Sequence, residues 1–169
     1  MASANGVGTA VLEKLRSIPL FEAIEGNTRY MELLIAICRL RTFKKGDQII
    51  REGDVGSQMY VLNRGEVLVR KRTRAGDTYT VVDLTAEQNV FFGELALIDD
   101  ERRSATVVAK EECECIEITK ENFLQLGNDY PEIGLPITRV LAKILASRLR
   151  KTTEDMMTIF DALVNELKG

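Results

Sequence analysis

Histidine is absent from this 169-residue chain, and its absence removes several common enzyme classes at once. Without histidine there is no Ser-His or Cys-His nucleophile pair, no histidine-ligated zinc and no histidine general base. The commonest catalytic arrangements are therefore excluded. We predict that the protein is not an enzyme and has no metal site and no cofactor, with an enzyme such as a phosphodiesterase as the alternative.

Long apolar runs are also missing. A membrane-spanning helix needs about 18–20 consecutive apolar residues, and no such stretch occurs. Residues 1–10 are small and polar, and they lack the positive start and apolar run of a signal peptide. The sequence therefore predicts a cytoplasmic protein that makes no contact with a membrane.

Only three cysteines are present, Cys38, Cys113 and Cys115. An odd number without a secretion signal does not indicate a disulfide framework. Cys113 and Cys115 alternate on a predicted strand and share one face, which would suit a metal or redox pair. The interpretation that we favour is that they are small, buried apolar residues.

Basic residues do not exceed acidic ones, since the net charge is −3 and the pI about 5.2. A domain that holds nucleic acid usually carries a basic excess, so the balance argues against that role. The basic run over residues 133–153 is interpreted as a solvated face or a partner surface. Direct DNA binding is not expected.

Two helical patterns come first along the chain. Residues 11–23 form an amphipathic pattern that Pro19 interrupts. Residues 28–39 form a second pattern, which places Met31 and Cys38 on the same face as its other apolar residues. We expect both helices to pack against the core.

Short β-rich runs then alternate with Gly-Asp pairs, which favour tight corners. Many short strands at close spacing predict an antiparallel β-roll or jelly roll, with residues 74–77 as a hairpin tip. The predicted strands are Gln48–Arg51, Met59–Asn63, Glu66–Arg72, Thr78–Leu84, Ala105–Lys110 and Cys113–Thr119.

The last part of the chain is helical again. A short helix is predicted over Asn122–Leu126. Asn128 or Asp129 is predicted to cap the next helix, which has Pro131 in its first turn. Pro136 suits the start of a long C-terminal helix.

That long helix, predicted to reach Leu167, carries an apolar stripe in steps of three and four residues. Such spacing is typical of a two-stranded coiled coil, so we predict a homodimer through the C-terminal helix. The alternative is that the helix packs only on its own domain. The stripe consists of Leu145, Leu149, Thr152, Met156, Ile159 and Leu163.

Four residues between positions 93 and 104 are candidates for binding a ligand. Gly93 opens a short helix at Glu94, and the free N–H groups of a helix start favour an anion. Arg103 follows nine residues after Glu94, and its guanidinium can donate two parallel hydrogen bonds to a phosphate. Ser104 adds a hydroxyl donor. A carboxylate beside a phosphate site suits a sugar hydroxyl, so the set fits a phosphate joined to a ribose. An ordinary Glu94–Arg103 salt bridge is the alternative.

These residues belong to a longer resemblance. Phe-Gly-Glu-Leu-Ala-Leu-Ile at 92–98, followed by Arg-Ser-Ala-Thr-Val at 103–107, resembles the phosphate-binding cassette of the cyclic-nucleotide-binding domain family. The first strands and corners at 46–65, the segment 15–21 and the helical segment 130–149 are similar to the family as well. The resemblance extends over about residues 12–160 and is strongest to the catabolite activator branch.

The resemblance implies an α+β fold. An antiparallel β-roll (a jelly roll, or double-stranded β-helix) is flanked by N-terminal helices and a long C-terminal helix. One domain is expected over residues 11–169. Its expected parts are N-terminal helices at 11–39, the β-roll at 40–119 with its cassette at 91–107, and C-terminal helices at 120–167.

The family's ligand-binding roles transfer to matching residues. Glu94 would bind the ribose 2′-hydroxyl, Arg103 would pair with the cyclic phosphate, and Ser104 would touch that phosphate. Backbone N–H groups at the phosphate would come from Gly93, Glu94, Leu95 and Ala105.

The long helix supplies three further residues by the same resemblance. Arg148 matches an arginine that approaches the glutamate of the site. Thr152 and Thr153 match a Thr-Ser pair that contacts adenine across the dimer, which favours cAMP over cGMP. The alternative for all three is a solvated or interface position without ligand contact.

Two positions depart from the family pattern. Asn89-Val90 stands where the family usually has Gly-Asp, although asparagine tolerates the left-handed conformation that such a turn needs. Arg102 stands where several members have proline, and we expect little effect from it.

The sequence thus predicts a stand-alone regulatory sensor for a cyclic nucleotide, acting on an unknown effector protein. One alternative is a protein-interaction module whose pocket is no longer used. Another is the sensor part of a transcription regulator cut before its DNA-binding domain, because residues 1–169 include no helix-turn-helix.

Overall fold

A computed structural model describes residues 3–168, with side chains from residue 8 to residue 167. Its α-helices are α1 (Ser3–Arg16), α2 (Thr28–Ala36), α3 (Lys120–Asp129) and α4 (Pro131–Lys168). Its strands are β1 (Cys38–Phe43), β2 (Gln48–Ile50), β3 (Gln58–Arg64), β4 (Glu66–Arg72), β5 (Thr78–Thr85), β6 (Phe91–Phe92), β7 (Thr106–Ala109) and β8 (Cys113–Thr119).

The strands form two four-stranded antiparallel sheets, ordered β1-β8-β3-β6 and β2-β7-β4-β5. β4 and β5 pair as a hairpin whose tip lies at residues 73–77, where Gly76 has a φ of +99°. The predicted antiparallel β-roll with N-terminal helices and a long C-terminal helix is confirmed.

Two buried clusters hold the roll together. One lies between the sheets and contains Leu62, Val67, Cys113 and Cys115. The other joins the first sheet to the helices and includes Phe21. Burial of each large apolar side chain contributes about 1.5–3 kcal/mol.

The cysteines of the roll behave as apolar residues. Cys113 and Cys115 are both fully buried, and burial raises the pKa of Cys115 to about 12. Burial likewise raises the pKa of Cys38 to about 12. A thiol with such a pKa is almost entirely protonated at neutral pH, so these positions match the apolar interpretation.

The N-terminal helices differ from their predicted bounds. α1 begins at Ser3 rather than at residue 11, and it ends at Arg16 before a separate 3-10 turn over Pro19–Phe21. α2 ends at Ala36, so Cys38 begins β1 and does not belong to the helix face predicted for it. Pairing of β1 with β8, in which Cys38 faces Ile118, outweighs the local helical periodicity.

The C-terminal helices also differ in detail. The side chain of Thr119 caps α3, and Asn128 and Asp129 belong to its last turn instead of capping the next helix. α4 already begins at Pro131, so Pro136 lies inside the helix and not at its start. The missing N–H of Pro136 is tolerated because buried side chains on both sides, Ile133 and Ile137, fix this part of α4 to the core.

α4 leaves the domain in its second half. Its first turns are buried, whereas Leu149, Met156, Ile159 and Leu163 are all more than half exposed. With 38 residues the helix is roughly 57 Å long, which is longer than the roll needs for its own cover. The predicted stripe is therefore a solvent-exposed apolar surface in a single chain.

Candidate ligand pocket

A cavity of about 730 Å³ opens at the side of the β-roll, beside the segment predicted as a phosphate-binding cassette. A 3-10 helix over Glu94–Leu97 begins there directly after β6. Gly93 caps this helix with a φ of +75°, a left-handed conformation that favours glycine. Because the first N–H groups of a helix have no partner within it, they are suited to an anion in the cavity.

Arg103 lines this cavity from the loop before β7. Its guanidinium donates hydrogen bonds to the carbonyl oxygens of Gln58, at 2.7 Å, and of Gly93, at 3.2 Å. Burial lowers the pKa of Arg103 and the nearby Tyr60 and Glu94 raise it, but an arginine remains protonated at neutral pH. A fixed positive charge therefore stands at the wall of the cavity.

Glu94 is 5% exposed, although it is a charged residue on a short helix. Its carboxylate forms an ion pair with the guanidinium of Arg148 from α4. That guanidinium also lies over the ring of Phe91, 5.7 Å from its centroid. The side chain of Arg148 therefore connects α4 to the cassette.

The alternative of a Glu94–Arg103 salt bridge is not what the structure shows. Among the described residues, no ion pair joins these two side chains. Arg103 bonds to carbonyl oxygens and Glu94 bonds to Arg148. Each group therefore faces the cavity with a different partner.

The other predicted residues of the cassette lie around the same cavity. Gly93, Leu95, Ser104 and Ala105 all line it, and Ser104 is exposed to solvent. The structure therefore brings together, in one place, every site residue that was predicted before α4.

Thr152 and Thr153 are not brought to the cavity by their own chain. Both are exposed on α4, and their hydroxyls donate to the carbonyl oxygens of Arg148 and Leu149 at 2.9 and 3.0 Å. Contact with a ligand across a dimer stays a prediction.

An apolar wall of the cavity was not predicted from the sequence. Val69 from β4, Val82 and Leu84 from β5 and Ile144 from α4 line this side of the cavity. Alternation within the predicted strands would have placed Val82 and Leu84 on one face. Gln58 was missed because it contributes a backbone carbonyl, which leaves no side-chain signal.

Asn89, which departs from the family pattern, adopts the left-handed conformation with a φ of +53°. Its side-chain oxygen accepts hydrogen bonds from Lys14 Nζ, at 2.9 Å, and Ser17 Oγ, at 3.0 Å. The expected turn is therefore present, and the asparagine adds a link between α1 and the rim of the cavity.

The β-roll, the glycine-capped helix and the half-buried arginine beside an open cavity are features of a domain that binds a small ligand. The comparisons with known proteins specify the family: residues 40–130 match the profile of the cyclic nucleotide-binding domain. The chain belongs to this family, whose domain is regulatory rather than catalytic.

Several relatives support the assignment. Human cGMP-dependent protein kinase 2 is 33% identical over 120 residues, which is 70% of this chain. The cyclic AMP receptor protein of Thermus thermophilus is 28% identical over 137 residues, or 81% of this chain. The crystal structure of the Thermus thermophilus catabolite activator protein superposes on this chain with a TM-score of 0.73 at 28% sequence identity. The superposed region covers 83% of this chain and 62% of the activator protein chain.

The shared part is a fraction of these relatives. The matched region spans 15% of the kinase and 60% of the receptor protein. Within residues 3–168, no helix is long and apolar enough to cross a membrane. Among the side chains of residues 8–167, no cluster of three or more is suited to a metal ion.

Proposed function

We propose that this domain binds a cyclic nucleotide in the 730 Å³ cavity, with cAMP favoured over cGMP, and acts as a stand-alone regulatory sensor. One observation carries the proposal. The guanidinium of Arg103 donates a hydrogen bond to the carbonyl of Gly93. Glu94, which follows Gly93 in the chain, is buried and lines the same cavity. A phosphate site and a ribose site are thus adjacent, as a cyclic nucleotide requires.

Each part of the ligand has a suitable partner. The cyclic phosphate receives two hydrogen bonds from Arg103, joined by the N–H groups at residues 93–95 and 105 and the hydroxyl of Ser104. The ribose 2′-hydroxyl donates to Glu94. The base lies against the apolar wall of Val69, Val82 and Leu84.

The preference for cAMP depends on α4. Thr152 and Thr153 of a second chain would contact the base, and threonine hydroxyls suit the amino group and ring nitrogens of adenine. Relatives named for both cyclic nucleotides match the chain, so its own titration decides the preference.

The signal would pass through Arg148. This arginine pairs with the carboxylate of Glu94, the same group that the ribose needs. Binding changes the environment of Glu94 and therefore the free energy of the Arg148 contact. Because a ligand shifts a conformational equilibrium by its differential affinity, α4 and its contact with the effector protein shift with it.

The ribose contact is tested by combining Glu94→Gln with 2′-deoxy-cAMP. We expect Glu94→Gln to weaken cAMP binding about 5- to 30-fold, since a charge-assisted hydrogen bond becomes a neutral one. The variant and the wild type should bind 2′-deoxy-cAMP almost equally, as measured by calorimetric titration.

The exposed Glu87 offers a matched control, and Glu87→Gln should bind cAMP like the wild type. An equal loss of affinity for cAMP and 2′-deoxy-cAMP in Glu94→Gln would show that the carboxylate does not bind the 2′-hydroxyl.

We also propose a homodimer through the exposed stripe on α4. Ile159→Asp places a charge within the exposed C-terminal half of the stripe and should shift the protein to a monomer in sedimentation equilibrium. Asn165→Asp adds the same charge on another face of α4 and should leave the dimer intact. A wild-type protein that stays monomeric at high micromolar concentration would refute the dimer.

A further inference from the structure

We propose that Gly56 is a positioning residue for Arg103, and that its lack of a side chain keeps the guanidinium where a ligand phosphate can be bound. The inference rests on the proposed function. It concerns the loop between β2 and β3, which holds none of the residues assigned to the ligand.

Two main-chain hydrogen bonds join this loop to Arg103. The N–H of Gly53 donates to the carbonyl of Arg103, and the N–H of Arg103 donates to the carbonyl of Asp54, both at 2.9 Å. Two residues before Gly56, the loop is therefore joined to Arg103 by a pair of main-chain hydrogen bonds.

The side chain of Arg103 fills the space beside Gly56. A Cβ atom added at Gly56 would lie 2.5 Å from Nε, 2.7 Å from Nη2 and 2.9 Å from Cζ of this arginine. A Cβ atom added at Gly93, on the cassette, would lie 2.8 Å from Nη1. The guanidinium is thus confined between two glycines while it donates to the carbonyls of Gly93 and Gln58.

The two glycines differ in what a substitution would disturb. Gly93 has a φ of +75°, so any side chain there strains the backbone and also approaches Ile50 and the carbonyl of Gln58. Gly56 has no such φ, and the three nearest atoms to its added Cβ all belong to the end of the Arg103 side chain. Alanine at position 56 should therefore displace the guanidinium while the fold is kept.

Displacement of the guanidinium should be costly for the ligand. Two parallel hydrogen bonds to a phosphate need a fixed position of the arginine, and a shift of about 1 Å is enough to lose them. We expect Gly56→Ala to weaken cAMP binding about 10- to 100-fold.

A double-mutant cycle tests this assignment. cAMP binding is measured by calorimetry for the wild type, Gly56→Ala, Arg103→Ala and the double variant. Gly26→Ala is the matched control, because a Cβ atom there has no neighbour within 4 Å. If Gly56 acts through Arg103, Gly56→Ala costs affinity in the wild type and almost nothing once Arg103 is alanine.

The outcomes separate the inference from the function that it rests on. A wild type that binds neither cAMP nor cGMP removes the proposed function itself. A wild type that binds cAMP, with Gly56→Ala within about twofold of Gly26→Ala, overturns only the role of Gly56. An equal loss of affinity with and without the arginine overturns it too.

Thermal unfolding keeps the test decisive if Gly56→Ala proves unstable. If the alanine at position 56 contacts only Arg103, Gly56→Ala lowers the midpoint temperature of unfolding in the wild-type background. It should not lower that temperature in the Arg103→Ala background, where the contacting side chain is shortened. A midpoint that stays equally low in the Arg103→Ala background shows that alanine disturbs another part of the loop and contradicts the assignment.

Discussion

Replacing Arg103 by alanine is expected to weaken cAMP binding by about 2–5 kcal/mol, which is roughly 30-fold to several thousandfold in the dissociation constant. In the proposed complex the guanidinium neutralises the phosphate, and water, which carries no charge, replaces it poorly. Calorimetric titration of wild type and variant measures the difference.

The fold should survive this substitution. Arg103 is half-buried at the wall of an open cavity, so water can reach the carbonyls of Gln58 and Gly93 once the side chain is removed. Arg103→Lys should recover part of the affinity, because it keeps the charge and loses the two parallel bonds.

Arg74→Ala is the matched control, since it removes the same charge from the exposed tip of the β4–β5 hairpin. Binding of cAMP by Arg103→Ala at the level of Arg74→Ala, in a folded protein, would mean that the phosphate is bound elsewhere.

Phe21→Ala should lower the free energy of unfolding by about 3–5 kcal/mol. Phe21 is 0% exposed and lies in the cluster that joins the N-terminal segment, the first sheet and the buried start of α4, including Ile133 and Ile137. Its removal leaves a cavity at the place where α4 is fixed to the roll. Urea unfolding followed by circular dichroism measures the change.

The control for this prediction is Leu124→Ala on α3. Leu124 is 46% exposed, so its truncation should cost less than about 1 kcal/mol. Equal unfolding midpoints for Phe21→Ala and Leu124→Ala would contradict the position assigned to Phe21 in the core.

Much of the roll is predictable from sequence because its strands combine β-branched residues with glycine corners. The strands over Glu66–Arg72 and Cys113–Thr119 have the bounds that were predicted for them. The glycine-capped helix at Glu94 was also found, since Gly93 and the following residues form a local signal.

Other elements depend on contacts that no local pattern contains. β1 is mostly exposed and its burial does not alternate along the strand, and its strand conformation depends on its pairing with β8. Pro136 is held within α4 by burial of its neighbours, against its own preference.

The candidate site, like the fold, has features that the sequence predicts and features that depend on tertiary contacts. The residue types at 94 and 103 indicated binding of a ribose and a phosphate, and the structure places the two side chains at one cavity. Gln58, one of the two carbonyl partners of Arg103, lies 45 residues away along the chain and has no side-chain signature. Nor does the sequence near Gly56 indicate that an arginine fills the space beside it.

Titration of the wild-type protein with cAMP, cGMP and 5′-AMP by calorimetry is the most direct test of the central claim. We expect saturable binding of one cyclic nucleotide per chain, with cAMP bound more tightly than cGMP and 5′-AMP bound much more weakly. A folded, ligand-free protein that binds neither cyclic nucleotide would contradict the claim that this cavity is a cyclic-nucleotide site.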